Sequence, residues 1–288
     1  MTATESHYLD SEPFGARLLR AMQTRGRLCV GIDPHAALLT DWGLNDDVAG
    51  LERFTMTVVE ALGAGTAVFK PQSAFFERFG SRGVAVLERA VAQARAAGAL
   101  VLMDAKRGDI GSTMAAYAAT YLDKDSPLFS DAVTVTPYLG FGSLRPALDA
   151  ARISGAGVFV VSLTSNPEGD EVQRAASAGG ARVGQLMLDH VAAENAGATP
   201  LGSVGAVIGA TRKDLADFDL AVNGPLLAPG IGAQGAMPAD LPAVFGAAVR
   251  SVLPSVSRGV LRHGPDSRAL RDAALRYSDE VRAAIPEV

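Results

Sequence analysis

Two carboxylates and one ammonium group are concentrated in the segment MDAKRGDIGST, residues Met103–Thr113. Asp104 and Lys106 are two residues apart, so on a strand their side chains project to the same face. Asp109 follows in the turn before a predicted helix, where the loop can bring it back toward this pair. Charged groups at the C-terminal end of a buried strand are costly unless they are paired and used, so the spacing indicates an active site.

Lysine is rare in this chain, and its placement singles out two positions. Of the 26 basic residues, four are Lys and the others are Arg. Lys70, in AVFKP, and Lys106, in LMDAK, each lie where an apolar strand is predicted to end. An Arg side chain is effectively never deprotonated, whereas a Lys amine can transfer a proton. We interpret both Lys as functional groups; the alternative is that they cap strands and form ion pairs with nearby acids.

Composition and charge exclude several classes of protein. A length of 288 residues allows two domains, but α/β barrels commonly occupy this size as one. The net charge of −5 argues against a nucleic-acid partner or an anionic membrane surface, either of which requires a basic face. The single Cys, Cys29, excludes an intramolecular disulfide and a thiolate metal cluster, and we expect it in the core.

The polar N-terminus, MTATESHYLDSEP, has no signal-peptide pattern, and no apolar run is long enough to cross a bilayer. We therefore expect a cytoplasmic protein with no membrane partner.

Short apolar runs alternate with longer segments of helical period along the chain. Strands are predicted at Leu28–Asp33, Ala67–Pro71, Ala99–Lys106, Ala132–Pro137, Gly157–Thr164, Val204–Thr211, Pro225–Ile231 and Ser251–Arg258. Helices are predicted at roughly Glu12–Arg25, Asp47–Leu62, Arg82–Ala97, Ser112–Leu122, Gly142–Ile153, Ala181–Ala196, Pro238–Val249 and Ser267–Ala284. The alternation predicts one α/β domain over residues 1–288, a single (β/α)8 TIM barrel with a short N-terminal helical extension.

Two segments fit this pattern less well. Pro254 lies inside the eighth strand and weakens its prediction, because proline cannot donate a ladder hydrogen bond. Pro167–Ala198 is longer than a barrel connection needs, so we interpret part of it as a lid or an outer excursion.

Polar residues gather where the predicted strands end. They are Asp33, His35, Lys70, Gln72, Asp104, Lys106, Thr136, Thr164, Ser165, Asn166, Gln234 and Arg258. In a (β/α)8 barrel these positions share one rim, the face on which chemistry is done. Any one of these residues could simply cap a strand. The presence of so many polar residues at the strand ends predicts a functional site on this rim.

The segment GIGAQG, Gly230–Gly235, matches the G-x-G-x-x-G pattern of dinucleotide-binding folds. It falls late in the chain, and the expected acid is missing from Arg250–Val256. We interpret it as a glycine loop that holds a phosphate together with Arg258; the alternative is a simple turn. His35 has no neighbouring His or Cys, so no metal site is predicted.

Six segments in order over nearly the whole chain resemble one known family. They are GIDPH, FKPQSAFFE, DAKRGDIGST, VTVTPYLGFGSL, LTSNPEG and PGIGAQG. Together they are similar to the orotidine 5′-phosphate decarboxylases, specifically the longer bacterial branch with the DAKRGDI signature. The resemblance implies a homodimeric (β/α)8 barrel without metal or organic cofactor. The implied reaction converts orotidine 5′-phosphate to UMP and carbon dioxide, the last step of de novo pyrimidine synthesis.

The resemblance also implies roles for individual residues. The catalytic array would comprise Lys70, Asp104, Lys106 and, from the partner subunit, Asp109, with Lys106 protonating C6. The substrate-binding residues would be Asp33 and Lys70 at the ribose, Thr113 reaching across the dimer, Ser165 at the pyrimidine amide, and Gln234 and Arg258 at the phosphate. Thr136 departs from the Asn expected in many relatives, which puts a role for that position in doubt.

Two rival interpretations stay open. Metal-dependent relatives on the same barrel, such as 3-keto-gulonate-phosphate decarboxylase and hexulose-phosphate synthase, share D-x-K-x-x-D. They place a metal-binding Glu near the end of the second strand, where this chain has Lys70, and a cation there repels Mg²⁺. The other rival is a non-catalytic barrel that only binds a nucleotide or serves as a scaffold, against which the intact Lys and Asp residues argue.

Overall fold

Eight parallel strands close into a barrel in the computed structural model, which describes residues 12–285. The strands are β1 (Cys29–Ile32), β2 (Val68–Pro71), β3 (Leu100–Arg107), β4 (Ala132–Val135), β5 (Gly157–Leu163), β6 (Val204–Ile208), β7 (Leu226–Pro229) and β8 (Val252–Val256). Each strand pairs with the next along the chain, and β1 pairs with β8 to close the ring. The predicted (β/α)8 TIM barrel is confirmed, because every predicted strand forms near its expected position.

Helices surround the barrel and mostly match the predicted segments. They are α1 (Phe14–Arg25), α2 (Ala36–Asp41), α3 (Val48–Leu62), α4 (Ala74–Glu77), α5 (Gly80–Ala96), α6 (Gly111–Leu122), α7 (Arg145–Ser154), α8 (Asp170–Gln173), α9 (Val183–Glu194), α10 (Leu241–Phe245), α11 (Arg258–Leu261) and α12 (Ser267–Ala284). The predicted helix Pro238–Val249 was wrong in extent. It breaks at Gly246, whose φ of 52° lies in the left-handed region, and continues only as a 3₁₀ turn.

The N-terminal helix α1 closes the bottom of the barrel. Phe14, Leu18 and Met22 pack with inward-facing strand residues such as Phe159 in a core of their own. Arg17 forms an ion pair with Asp131, which is buried beneath β4. The rest of the core lies between the strands and the outer helices. The prediction of one domain over residues 1–288 stays a prediction, and residues 1–11 and 286–288 lie outside the described ones.

The two irregular segments are both ordered parts of the barrel. Pro254 is buried in β8 opposite Ala228 of β7, and pairs on either side of it maintain the register. The connection after β5 contains a 3₁₀ turn, α8 and a backbone bridge between Ala176 and Arg182 before α9 begins. Within residues 12–285, no helix combines the length and apolar character needed to cross a membrane.

Candidate active site

Asp104 is the centre of a charged cluster at the C-terminal end of the barrel. Its Oδ2 accepts a hydrogen bond from Lys70 Nζ at 2.9 Å, and its Oδ1 accepts one from Lys106 Nζ at 2.6 Å. The Thr134 hydroxyl donates a further bond to Oδ1 at 2.8 Å. The structure therefore brings together the three charged residues that the sequence predicted at the ends of the second and third strands.

Burial and neighbouring charges shift the pKa values of this cluster in opposite directions. Burial by itself raises the pKa of Asp104, but the positive charges of Lys70 and Lys106 outweigh it and hold that pKa well below its ordinary value. Burial likewise acts to lower the pKa of Lys70, and the carboxylates of Asp104 and Asp33 outweigh it and raise that pKa. Asp104 and Lys70 are therefore both charged at neutral pH.

Asp33 extends the cluster toward the neighbouring strand. It follows β1, and its Oδ1 lies 4.0 Å from Lys70 Nζ. The parallel register that pairs Gly31 with Lys70 brings the two strand ends to the same height. Oδ1 is buried and, among the described residues, has no hydrogen-bond partner. It is an acceptor available for a ligand hydroxyl.

Lys106 occupies an unusual backbone conformation for a residue with a side chain. Its φ is 46°, in the left-handed region, and the register of β3 against β4 shifts between Met103 and Arg107. Its backbone N–H donates to Thr134 Oγ1 at 3.0 Å rather than continuing a regular ladder. The bulge turns the Lys106 side chain out of the strand, where 44% of it is exposed, while Lys70 stays buried.

Thr134 was missed by the sequence analysis. It is fully buried on β4 and bonds both the Asp104 carboxylate and the Lys106 backbone. The available signal was a single polar residue in the apolar strand AVTV, at a position that alternation places inside the barrel.

A cavity of about 340 Å³ opens beside the charged cluster. Its lining includes Asp33, His35, Lys70, Gly230, Gln234 and Arg258. The last of these was predicted in the eighth strand, but β8 ends at Val256 and Arg258 instead begins α11. The cavity is therefore lined by hydrogen-bond donors from three elements: Lys70 at the end of β2, Gln234 in the glycine loop and Arg258 in α11. Cationic and amide donors grouped in this way suit a phosphate.

The glycine loop after β7 depends on backbone conformations that side chains rarely adopt. Gly230 and Gly232 have φ values of 108° and 77°. A Cβ on Gly232 would lie 2.6 Å from the hydroxyl oxygen of Tyr277. The two glycines thus permit the tight path that carries Gln234 back over the cavity.

His35 lines the same cavity, in agreement with its predicted place on the rim, where no metal site was expected of it. Its ring packs against Phe75 with 4.3 Å between the centroids. Burial lowers the pKa of His35 below its ordinary value.

Ser165, which follows β5, contacts Gln234 of the glycine loop. Its hydroxyl lies 3.5 Å from Gln234 Oε1. Behind it, the buried Arg212 donates to the Thr164 carbonyl at 2.6 Å and forms ion pairs with Asp170 and Asp214. The excursion after β5 is therefore fastened to the end of β6. The sequence analysis missed Arg212, although a cation directly after a predicted strand was a visible signal.

Asp109 and Thr113 are not part of the cluster within this chain. Asp109 Oδ1 accepts a bond from the Ile110 N–H at 2.8 Å, and no ion pair joins it to Lys106 among the described residues. Thr113 is exposed in the first turn of α6. Thr136 donates its backbone N–H to the Arg107 carbonyl at 2.8 Å.

Metal ligands are not grouped in the described part of the chain. Across residues 12–285, no set of three or more His, Cys, Asp or Glu side chains is placed to hold a metal ion. Cys29 is buried, and burial raises the pKa of its thiol to about 12.

Comparisons with known proteins match the chain over nearly its whole length. The model of the orotidine 5′-phosphate decarboxylase / HUMPS family matches residues 26–273. The orotidine 5′-phosphate decarboxylase of Streptomyces coelicolor is 73% identical over 274 residues, covering 95% of this chain and 99% of the relative. That of Salinispora arenicola is 64% identical over 274 residues, with the same coverage of both chains.

Solved structures agree in fold. A crystal structure of an orotidine 5′-phosphate decarboxylase candidate from Streptomyces avermitilis superposes with a TM-score of 0.95 at 74% identity, covering 97% of this chain and 98% of that one. The orotidine 5′-phosphate decarboxylase of Leishmania donovani gives a TM-score of 0.74 at 31% identity, with coverages of 94% and 98%. The expected resemblance is confirmed: the chain belongs to the orotidine 5′-phosphate decarboxylase / HUMPS family.

Proposed function

We propose that this protein decarboxylates orotidine 5′-phosphate to UMP and carbon dioxide, the last step of de novo pyrimidine synthesis, with Lys106 as the proton donor. The family match and the high identity to named decarboxylases support the reaction. The observation that carries the residue assignment is the Lys70–Asp104–Lys106 cluster beside a cavity that is also lined by Gln234 and Arg258. The enzyme is a carboxy-lyase.

Lys70 favours this activity over the metal-dependent branch of the same family. Where those relatives carry a metal-binding Glu, this chain places an ammonium group that is 2.9 Å from Asp104. A divalent cation at the end of β2 would be repelled by Lys70, and the Asp104 carboxylate is already neutralised by two Lys. The named relatives at 73% and 64% identity point the same way.

The chemistry requires a cation at the reacting carbon before the reaction begins. Loss of carbon dioxide leaves the bonding electron pair on C6 of the pyrimidine, a carbanion without an electron sink. The Lys106 ammonium, held by Asp104 at 2.6 Å, stabilises this charge with little reorganisation and then donates its proton to C6. The new C6–H bond replaces the C6–carboxylate bond, and Lys106 is left neutral until solvent reprotonates it.

The rest of the cavity is assigned to binding. Asp33 Oδ1, buried and without a partner among the described residues, accepts a ribose hydroxyl beside Lys70. Ser165 binds the pyrimidine amide, and Gln234 and Arg258 bind the phosphate. The phosphate lies far from C6, so its binding energy can be used to close the loops and assemble the site.

We assign the working unit as a homodimer in which Asp109 and Thr113 act in the partner's site. Asp109 Oδ1 accepts the Ile110 N–H, and among the described residues Asp109 forms no ion pair with Lys106 of its own chain. Ile110 beside it is 62% exposed, and Tyr138 and Leu139 after the neighbouring strand are 78% and 53% exposed. Large apolar side chains clustered on a rim are typical of an interface. A cytoplasmic location and a single domain belong to the same proposal.

The direct test is an assay of the purified protein with orotidine 5′-phosphate, followed by the ultraviolet change on formation of UMP. The Lys106→Ala variant should lose nearly all activity and should still bind UMP. Turnover of a sugar-phosphate acid only in the presence of Mg²⁺, without decarboxylation of orotidine 5′-phosphate, would reject the assignment.

A further inference from the structure

The left-handed backbone at Lys106 needs an explanation in the surrounding structure. Residues with side chains occupy this region at a cost, and they remain there only where neighbouring contacts over-determine the conformation. The N–H of Lys106 is held by Thr134 Oγ1. What holds the chain on the C-terminal side of Lys106 is the next residue, Arg107.

Arg107 is anchored on the outside of the barrel by two different helices. Its guanidinium forms an ion pair with Glu77 at the end of α4. Its charge also interacts with the side chain of Tyr121, which is buried on α6, and this interaction acts to raise the pKa of Arg107. The same guanidinium lies 5.6 Å from the ring centroid of Tyr117, one turn earlier on that helix.

The backbone of Arg107 is fixed as well. Its carbonyl accepts the Thr136 N–H at 2.8 Å, and it pairs with Val135 at the point where the register shift ends. The residue after it, Gly108, passes so close to β4 that a Cβ would lie 2.3 Å from the Thr136 carbonyl oxygen. Arg107 therefore closes the bulge that begins after Met103.

The guanidinium also carries a desolvation cost. Its Nε is buried and, within the described residues, has no hydrogen-bond partner. An ion pair that served stability alone would be cheaper at the surface, where each donor can reach water. This desolvation cost falls on Arg107, the residue next to Lys106, which is the proposed proton donor. A role of Arg107 at the active site would account for it.

We infer that Arg107 is a positioning residue for Lys106: its clamp on Glu77 and Tyr121 locks the bulge and so fixes where the Lys106 ammonium points. Arg107 lies on the helix side of β3 and does not touch the substrate. The inference rests on the proposed role of Lys106 as the proton donor. It predicts that loosening the clamp misplaces the reacting ammonium while the binding groups on other strands stay in place.

The test is Arg107→Ala measured at saturating and limiting orotidine 5′-phosphate. We expect kcat to fall by about ten- to a hundredfold, the effect of a small misplacement of a catalytic group, with KM and the Kd for UMP nearly unchanged. Millimolar guanidinium should restore part of kcat by filling the space between Glu77 and Tyr121. Arg145→Ala is the control, because Arg145 also forms an ion pair with an acid, Glu194, but this pair joins the outer helices α7 and α9.

Tyr121→Phe provides a second variant that removes only the hydroxyl that interacts with the Arg107 charge. It should lower kcat in the same direction by a smaller factor with the melting temperature nearly unchanged, so the inference stays testable even if Arg107→Ala folds poorly. A rise in KM with kcat unchanged, or no change in either variant, would overturn it. Lys106→Ala is assayed alongside: activity retained there contradicts the proton-donor role itself and is distinguishable from a failure of Arg107 alone.

Discussion

Lys70 and Asp104 form a buried ion pair, with 2.9 Å between Nζ and Oδ2, at the ends of adjacent strands of the barrel. Both residues are almost fully buried, with exposed fractions of 5% and 6%. The other carboxylate oxygen of Asp104, Oδ1, accepts a hydrogen bond from Lys106, whose side chain is 44% exposed. One carboxylate therefore orients two ammonium groups of different burial.

Replacing Asp104 by Ala should destabilise the protein as well as abolish activity. Lys70 would be left buried with only Asp33, 4.0 Å away, as a counter-charge. Removing one partner of a buried pair costs about 3–5 kcal/mol, and we expect a loss in the free energy of unfolding in that range. Urea denaturation measures it. Glu12→Gln, which breaks an exposed pair with Arg20, is the control and should leave the midpoint nearly unchanged.

The same pair predicts how stability depends on pH. The pKa of Asp104 is lowered on folding, so its contribution is complete above the unfolded value of about 3.9 and is lost as the pH falls below it. The pKa of Lys70 is raised, so its contribution is complete below about 10.4 and is lost at higher pH. Urea midpoints should therefore show a plateau between about pH 5 and 9. Asp104→Asn should flatten the acid limb; an unchanged acid limb would contradict the assignment.

Arg258 should contribute to phosphate binding specifically. Arg258→Ala is expected to weaken binding of orotidine 5′-phosphate and of UMP by about 1.5–3 kcal/mol, the range for a charge-assisted hydrogen bond. Binding of the phosphate-free nucleosides should hardly change, as calorimetric titration can show. The control is Arg262→Ala, an exposed Arg one turn later. Equal weakening of both kinds of ligand would make Arg258 a structural residue instead.

Activity should not depend on a metal ion. The chain presents Lys70 at the end of β2, where metal-dependent relatives carry an acid, and this cation lies within the charged cluster. Protein dialysed against EDTA should keep its full rate of decarboxylation. If the rate fell and Mg²⁺ restored it, the metal-dependent branch of the family would be the better assignment.

The proposed dimer predicts complementation between two inactive variants. Lys106→Ala and Asp109→Ala homodimers should each be nearly inactive if Asp109 acts beside the Lys106 of the partner. After subunit exchange, a mixed dimer contains one site with both lesions and one with neither. Random pairing makes about half the dimers mixed, so recovery should approach about a quarter of the unmutated rate in a two-fold dimer. Recovery no greater than the sum of the parents, with exchange verified by native mass spectrometry, would place Asp109 in its own subunit's site.

The order of strands and helices could be predicted from the sequence because the relevant signals are local. Alternation of apolar runs with helical periods is a property of neighbouring residues, and the closed barrel follows from eight such units. The spacing of Asp104 and Lys106 was equally local. The break in the helix after Phe245 was missed because it depends on the left-handed conformation of Gly246. A glycine within a helical pattern does not by itself indicate that the helix ends there.

The contacts that complete the site were decided by the tertiary structure alone. Thr134 reaches Asp104 across 30 residues of chain, and Arg212 reaches Thr164 across 48. Both contacts depend on which strands become neighbours and at what register, and a local pattern carries no information about either. The left-handed backbone of Lys106 has the same origin, since it arises where β3 changes register against β4. The sequence by itself determined which groups could react and at which strand ends they lie; the closure of the barrel decided which of them touch.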